Sequence, residues 1–181
     1  MPHHSDFVTF IKFSEDGYWL ATGGYDKNIN VSNINSAKLA ATLKGHTAAI
    51  TNIIFLDNFQ LISSNKDSHI ILFDFAKKKL LHRFEKMSSE VKSMAIAKKE
   101  SFLFVADKSG YISLYDIKNK RLIEKKYFYF KEGISRLLYL QNSGYLLVAL
   151  STGEIKIFNP TEDKKRLIEF INEKNIKKHI F

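Results

Sequence analysis

Three features of the sequence predict an all-β chain, a partial β-propeller of four four-stranded antiparallel blades plus the first strand of a fifth. The first is repetition. Four segments align without gaps: TGGYDKNINVSN (22–33), SSNKDSHIILFD (63–74), VADKSGYISLYD (105–116) and VALSTGEIKIFN (148–159). The second is spacing: their starts lie 41, 42 and 43 residues apart, the length of one propeller blade. The third is alternation in INVS, IILF, ISLY and IKIF, the two-residue period of a strand with two distinct faces.

Each repeat resolves into four strands. The first reads VTFIKF (8–13), ITNIIF (50–55), VKSMAI (91–96) and ISRLLY (134–139). Turn residues follow at SEDG, LDNF, AKKE and QNSG, as a hairpin requires. The second strand ends in the small residues that open each aligned segment, and a polar turn leads to a third strand at Ile29, Ile70, Ile112 or Ile155. After NSAK, AKKK, KNKR and EDKK comes a fourth strand: LAATL, LLHRF, LIEKKY and RLIEF. Four antiparallel strands per repeat make a propeller blade. The expected blades are 4–43, 46–84, 87–127 and 130–170, within a single array over 1–181.

The stretch GHTAAITNIIF followed by SSNKDSHIILFD resembles a WD repeat, with Gly45-His46 at its start and Phe73-Asp74 at its end. The likeness extends over essentially the whole chain and draws its specificity from recurrence in register. The terminal Trp-Asp pair is replaced by Ser32-Asn33, Phe73-Asp74, Tyr115-Asp116 and Phe158-Asn159. The resemblance implies a β-propeller that binds partners on one face.

His4, Thr22, Asp26 and His46, Ser63, Asp67 occupy matching positions in the first two repeats. They contain the residue types of a Ser-His-Asp triad. The resemblance implies a different role, a hydrogen-bonded network that locks the blade. The replacements favour that role. The His position becomes Met87 and Phe130, the hydroxyl position Val105 and Val148, and the Asp position Ser109 and Thr152. Polar groups buried together can be replaced together at little cost, whereas losing one partner is expensive.

Other chemistry has little support. With no Cys, disulfides, thiolate catalysis and Cys-based metal sites are excluded. His3-His4 has no third ligand at useful spacing. Gly23-Gly24 precede a hairpin turn and not a helix, so no phosphate-binding loop is read. No cofactor site, enzyme activity or membrane span is expected. The start MPHHSDFVTF lacks a cationic segment followed by an apolar run, which makes the cytoplasm the expected location.

The net charge is +9. In a propeller, the strand 1–2 and 3–4 turns share one face. There they gather Lys38, Lys77, Lys78, Lys79, Lys98, Lys99, Lys118, Lys120, Arg121, Lys164, Lys165 and Arg166 against six acids. RNA, an acidic protein or an anionic surface would suit that face; solvated turn lysines would look the same. On the opposite, top face the resemblance points to Phe7, Tyr25, Lys66, Glu90 and Lys108 as partner-binding positions. The expected function is a non-enzymatic protein-interaction scaffold, with a ribonucleoprotein-associated module as the alternative.

The tail NIKKHIF (175–181) aligns with AITNIIF (49–55), as the first strand of a fifth blade. A fragment, a truncated reading frame and a half-propeller completed by another copy or subunit all fit that reading.

Overall fold

The structure, a computed structural model, describes residues 3–160. The expected strands RLIEF and NIKKHIF, and with them Lys164, Lys165 and Arg166, lie outside the described residues. All regular structure among the described residues is β. The chain divides into two compact units, Met1–Val91 and Lys92–Phe181.

The first unit holds two four-stranded antiparallel meanders. One is β1 (Val8–Phe13), β2 (Trp19–Gly24), β3 (Ile29–Asn33) and β4 (Lys38–Leu43). The other is β5 (Ile50–Phe55), β6 (Gln60–Asn65), β7 (Ile70–Asp74) and β8 (Lys79–Arg83). One face of the first sheet packs on the second. Ala21, Ile29, Val31, Ala41 and Leu43 form a single core with Ile50, Ile53, Phe55, Leu61, Ile71 and Phe73. Trp19 meets Phe75 edge-on at 5.3 Å between ring centroids. The fit is close at Gly23, where an added Cβ would lie 2.5 Å from Ile50 Cγ2. Thr9 ties the two sheets through its hydroxyl, which lies 3.0 Å from the Gly23 carbonyl and 2.6 Å from the Ile50 carbonyl.

The second unit repeats the arrangement with β9 (Val91–Ala97, its first residue at the boundary), β10 (Phe102–Asp107), β11 (Tyr111–Asp116) and β12 (Arg121–Tyr129). Its other sheet is β13 (Ile134–Leu140), β14 (Tyr145–Leu150) and β15 (Ile155–Phe158), three strands within the described residues. Phe104, Ala106, Ile112 and Leu114 share a core with Leu137, Tyr139, Leu146, Val148 and Phe158. The strand β12 departs from the expected pattern. Ile112 pairs with Phe128 and Leu114 with Glu124, so two extra residues bulge out of β12, with Lys126 at φ 61°. That bulge absorbs the longer spacing between the third and fourth repeats.

The turns are built the same way in every sheet. Lys27, Ser68, Gly110 and Gly153 occupy one position of the strand 2–3 turn, all at positive φ (67°, 68°, 85° and 90°). The strand 3–4 turns place Ala37, Lys78 and Lys120 at φ 53–55°. Their backbone is held by the residue in the Asp position of the Trp-Asp pair. The side-chain oxygen of Asn33 accepts from the Ser36 amide, Asp74 from Lys77 and Asp116 from Asn119, at 2.8–3.0 Å. An Asp or Asn here is therefore a turn cap, which explains why it persists where the Trp does not.

A residue with a Cβ in the left-handed region carries a steric cost that glycine lacks. Ala37→Gly and Lys78→Gly are each expected to gain roughly 0.5–1 kcal/mol, less the extra freedom glycine gives the unfolded chain. Urea midpoints of the two variants check this.

Candidate functional site

At the strand 2–3 edge of the first unit, two His-centred networks lie beneath a patch of exposed side chains. In the first sheet all three expected partners meet. His4 Nδ1 lies 3.0 Å from both Asp26 carboxylate oxygens, and Nε2 lies 2.8 Å from Thr22 Oγ1. These partners assign the tautomer: Nδ1–H donates to the carboxylate and Nε2 accepts from the hydroxyl. Burial opposes ionisation of Asp26, but the His4 ring and the Asn28 and Ser5 amides outweigh it and hold its carboxyl below the ordinary value.

The second sheet is wired differently. His46 Nε2 is 2.7 Å from Ser63 Oγ, whereas Asp67 accepts from Thr47 Oγ1 at 2.9 Å. His46 Nδ1 is buried with no hydrogen-bond partner. The proton therefore belongs on Nε2, donating to Ser63, the opposite tautomer to His4. Burial, reinforced by the positive charges of Arg83 and His69, pulls the His46 pKa from 6.5 down to about 3. At neutral pH this imidazole is uncharged and has no carboxylate behind it, so the Ser-His-Asp inventory of this sheet is not assembled into a relay.

In the third and fourth repeats the same positions are apolar and buried: Met87, Val105, Phe130 and Val148. The turn is capped instead by Asp107, whose carboxylate accepts from the Ser109 and Tyr111 amides at 2.9 and 3.0 Å. Burial keeps its pKa above the ordinary value despite those amides. Asn65, at the same aligned position, accepts from the His69 amide at 2.9 Å. Sequence reasoning overlooked both caps. The signal was an Asn and an Asp sharing a column three residues before the left-handed turn residue.

Above the first network sit Phe7 and Tyr25. Phe7 is 79% exposed, and its carbonyl accepts from the Tyr25 amide at 2.9 Å. Lys66 makes the same backbone bond to Ala49 at 3.0 Å, so these aligned positions are neighbours in the fold. Across the two sheets Lys66 Nζ donates to Tyr25 Oη at 3.0 Å and lies 4.6 Å from the ring centroid. That hydrogen bond raises the Lys66 pKa. The result is an aromatic–cation patch joining two sheets. Glu90 is partly buried, and Lys108 is exposed on the second unit.

The basic turns are solvent-facing. Lys38, Lys77, Lys78 and Lys79 are exposed at the other edge of the first unit, as are Lys99, Lys118, Lys120 and Arg121 in the second, with Lys98 partly buried. Lys77 lies 3.4 Å from Asp74 and Arg121 3.9 Å from Asp116. Both acids are already turn caps, so these contacts tie charge into the turns. Among the described residues no group of three His, Asp or Glu is placed to hold a metal ion. No helix there is long and apolar enough to cross a membrane.

The WD domain, G-beta repeat family model matches residues 1–32 and 37–74, the first unit's two sheets through β7. The WD repeat-containing protein 55 homolog of Drosophila willistoni is 24% identical over 157 residues, 86% of this chain and 31% of that protein. WD repeat-containing protein 55 of Mus musculus is 27% identical over 120 residues, 66% of this chain and again 31% of the relative. A WD repeat domain-containing protein 83 homolog from Dictyostelium discoideum is 20% identical over 123 residues. The chain thus spans about a third of the length of the first curated relatives it matches. Among solved structures, the computationally designed Ika4 protein superimposes with a TM-score of 0.75 at 20% identity, covering 87% of this chain and 94% of that one. With a strand 2–3 turn of one geometry in all four sheets, a WD-repeat model that matches residues 1–32 and 37–74 and relatives named for WD repeats, the chain is similar to the WD-repeat family.

Proposed function

We propose that this chain is a non-enzymatic interaction scaffold that docks a protein partner on the edge carrying Phe7, Tyr25 and Lys66. The observation that carries this reading is the exposed Phe7 ring beside a Tyr25–Lys66 pair that bridges two sheets. Aromatic side chains on a rigid backbone supply contact area at low entropic cost, and a neighbouring cation adds direction. The networks beneath are support: His4 has both ring nitrogens engaged, and His46 stays neutral. Glu90 stands at the repeat position of Phe7, and Lys108, on the second unit, at that of Tyr25 and Lys66. The four blades act within a larger propeller, a reading supported by the open apolar face of β1.

The experiment is affinity capture on the full chain after nuclease treatment, compared with Phe7→Ala/Tyr25→Ala. Both side chains are exposed, so circular dichroism of the double variant should match the parent. A captured partner whose affinity falls about tenfold or more in the double variant supports the reading. Equal capture by both proteins overturns it.

The basic turns support a second reading, contact with RNA or an acidic partner through Lys77–Lys79, Lys98, Lys99, Lys118, Lys120 and Arg121. It requires retention on RNA that falls steeply with salt and survives Phe7→Ala/Tyr25→Ala.

A further inference from the structure

The face of β1 turned away from the second sheet is apolar and uncovered: Ile11 is 58% and Phe13 55% exposed, with Val8 beside them. Their counterparts one repeat later, Ile50, Ile53 and Phe55, are buried in the core shared with the first sheet. The same surface is therefore covered once inside the chain, and what covers it there is known. It is the face carrying Ala21, Gly23, Ile29 and Val31.

That covering face recurs on the fourth sheet. The positions equivalent to Ala21, Gly23, Ile29 and Val31 are Leu147, Ala149, Ile155 and Ile157, all only partly buried. The register pairs Leu138 with Leu147 and Leu147 with Ile157, on the side opposite Leu137, Val148 and Phe158, which fill the core of the second unit. Leu138 is 54% exposed and stands where the first sheet has Lys12.

We propose that these two faces are the halves of one junction, closed head to tail by a second copy of this chain. The inference rests on the larger-propeller reading and names what completes it. Two details of the internal junction are reproduced. Where Gly23 admits Ile50, the open faces offer Ala149 and Val8. One methyl has moved from one side to the other at nearly constant volume. Where the Thr9 hydroxyl spans the Gly23 and Ile50 carbonyls, Ser135 already lies 3.0 Å from the Ala149 carbonyl and is exposed. Its remaining counterpart is the Val8 carbonyl of the second copy. The backbone agrees as well, because a register shift follows Val8 as one follows Ile50.

Light scattering on the full chain, with Ile11→Glu and Leu138→Glu, tests this. Both positions are exposed in the single chain, so circular dichroism should be unchanged. The parent is expected at twice the chain mass of 20.9 kDa or above, and each variant at the monomer mass. An equimolar mixture of the two variants should recover a two-chain species, because one of its junctions is undamaged on both sides. Oxidation of Val8→Cys/Ala149→Cys in this cysteine-free chain should yield covalently linked pairs. A monomeric parent at tens of micromolar, a dimer broken by Ile11→Glu but not by Leu138→Glu, or a bridge within one chain overturns the proposal. A monomer that instead captures a different blade-bearing protein through Ile11 overturns it while leaving the larger-propeller reading intact.

Discussion

Gly110→Ala is expected to destabilise the chain by about 3 kcal/mol or more, while Gly153→Ala costs about 1 kcal/mol. Both glycines stand at the same turn position, at φ 85° and 90°, so the strain of placing a Cβ in the left-handed region is common to both. Their surroundings differ. A Cβ on Gly153 meets nothing within 4 Å, whereas one on Gly110 runs into the Phe130 carbonyl oxygen. That carbonyl cannot easily retreat. It accepts from the Gly133 amide at 3.1 Å, and the Phe130 amide donates to the Gly110 carbonyl at 2.8 Å. Phe130 is itself buried in the core and packs edge-on against Phe158 at 5.7 Å. Moving the backbone to admit a methyl group would break the turn's closing bonds and lift an aromatic ring. In urea unfolding, the difference between the two variants isolates the contact from the strain. Equal losses would mean that the Phe130 segment yields freely. Lys27 and Ser68 occupy this position at φ 67° and 68°, so the left-handed conformation by itself does not exclude a side chain there.

The strands and their grouping were legible because a period of two inside a period of 41 to 43 leaves little freedom in assigning either. The caps were half legible. Asp74 and Asp116 were visible as the Asp of a degenerate Trp-Asp pair, but their service to the Lys77 and Asn119 amides is a matter of turn geometry. Asn65 and Asp107 were missed because the repeat alignment draws attention to Asp26 and Asp67. The cap has moved two residues upstream, and an alignment by residue type does not follow a function that changes column. The bulge in β12 was hidden because an insertion inside a strand leaves the alternation readable on both sides. The network in the second sheet was misjudged in detail for another reason. His46, Ser63 and Asp67 match His4, Thr22 and Asp26 in residue type, with the His one residue nearer its hydroxyl in the second repeat (17 against 18). Yet Asp67 accepts from the Thr47 hydroxyl, where Asp26 accepts from the His4 ring and the Ser5 amide. Which donor the carboxylate takes is a matter of local geometry, and residue type at matched positions does not report it.

The rewired network makes the second sheet acid-sensitive, and the chain carries its own control. An unfolded His46 takes up a proton near pH 6.5, the folded one near pH 3. Between those values the unfolded state binds more protons, so stability falls as the pH falls. This contribution is constant above about pH 6.5 and is lost by up to about 5 kcal/mol on approaching pH 3. Asp26 acts lower down, since its depressed carboxyl stabilises the fold above the unfolded carboxylate pKa and loses that effect only below it. The third repeat solves the same packing problem with Met87 and Val105, both buried. Transplanting that solution as His46→Met/Ser63→Val removes both partners of the 2.7 Å hydrogen bond at once and is expected to lie within about 1 kcal/mol of the parent at pH 7. Each single change orphans its partner: His46→Met strands the Ser63 hydroxyl, and Ser63→Val leaves His46 without a hydrogen bond on either nitrogen. Each should cost about 1–3 kcal/mol, so the cycle should show a favourable coupling between the two substitutions. The decisive readout is the pH slope. Between pH 6.5 and 4 the double variant should lose far less stability than the parent. If the two proteins instead fall in parallel, the acid sensitivity arises elsewhere and His46 is not buried neutral in the folded chain.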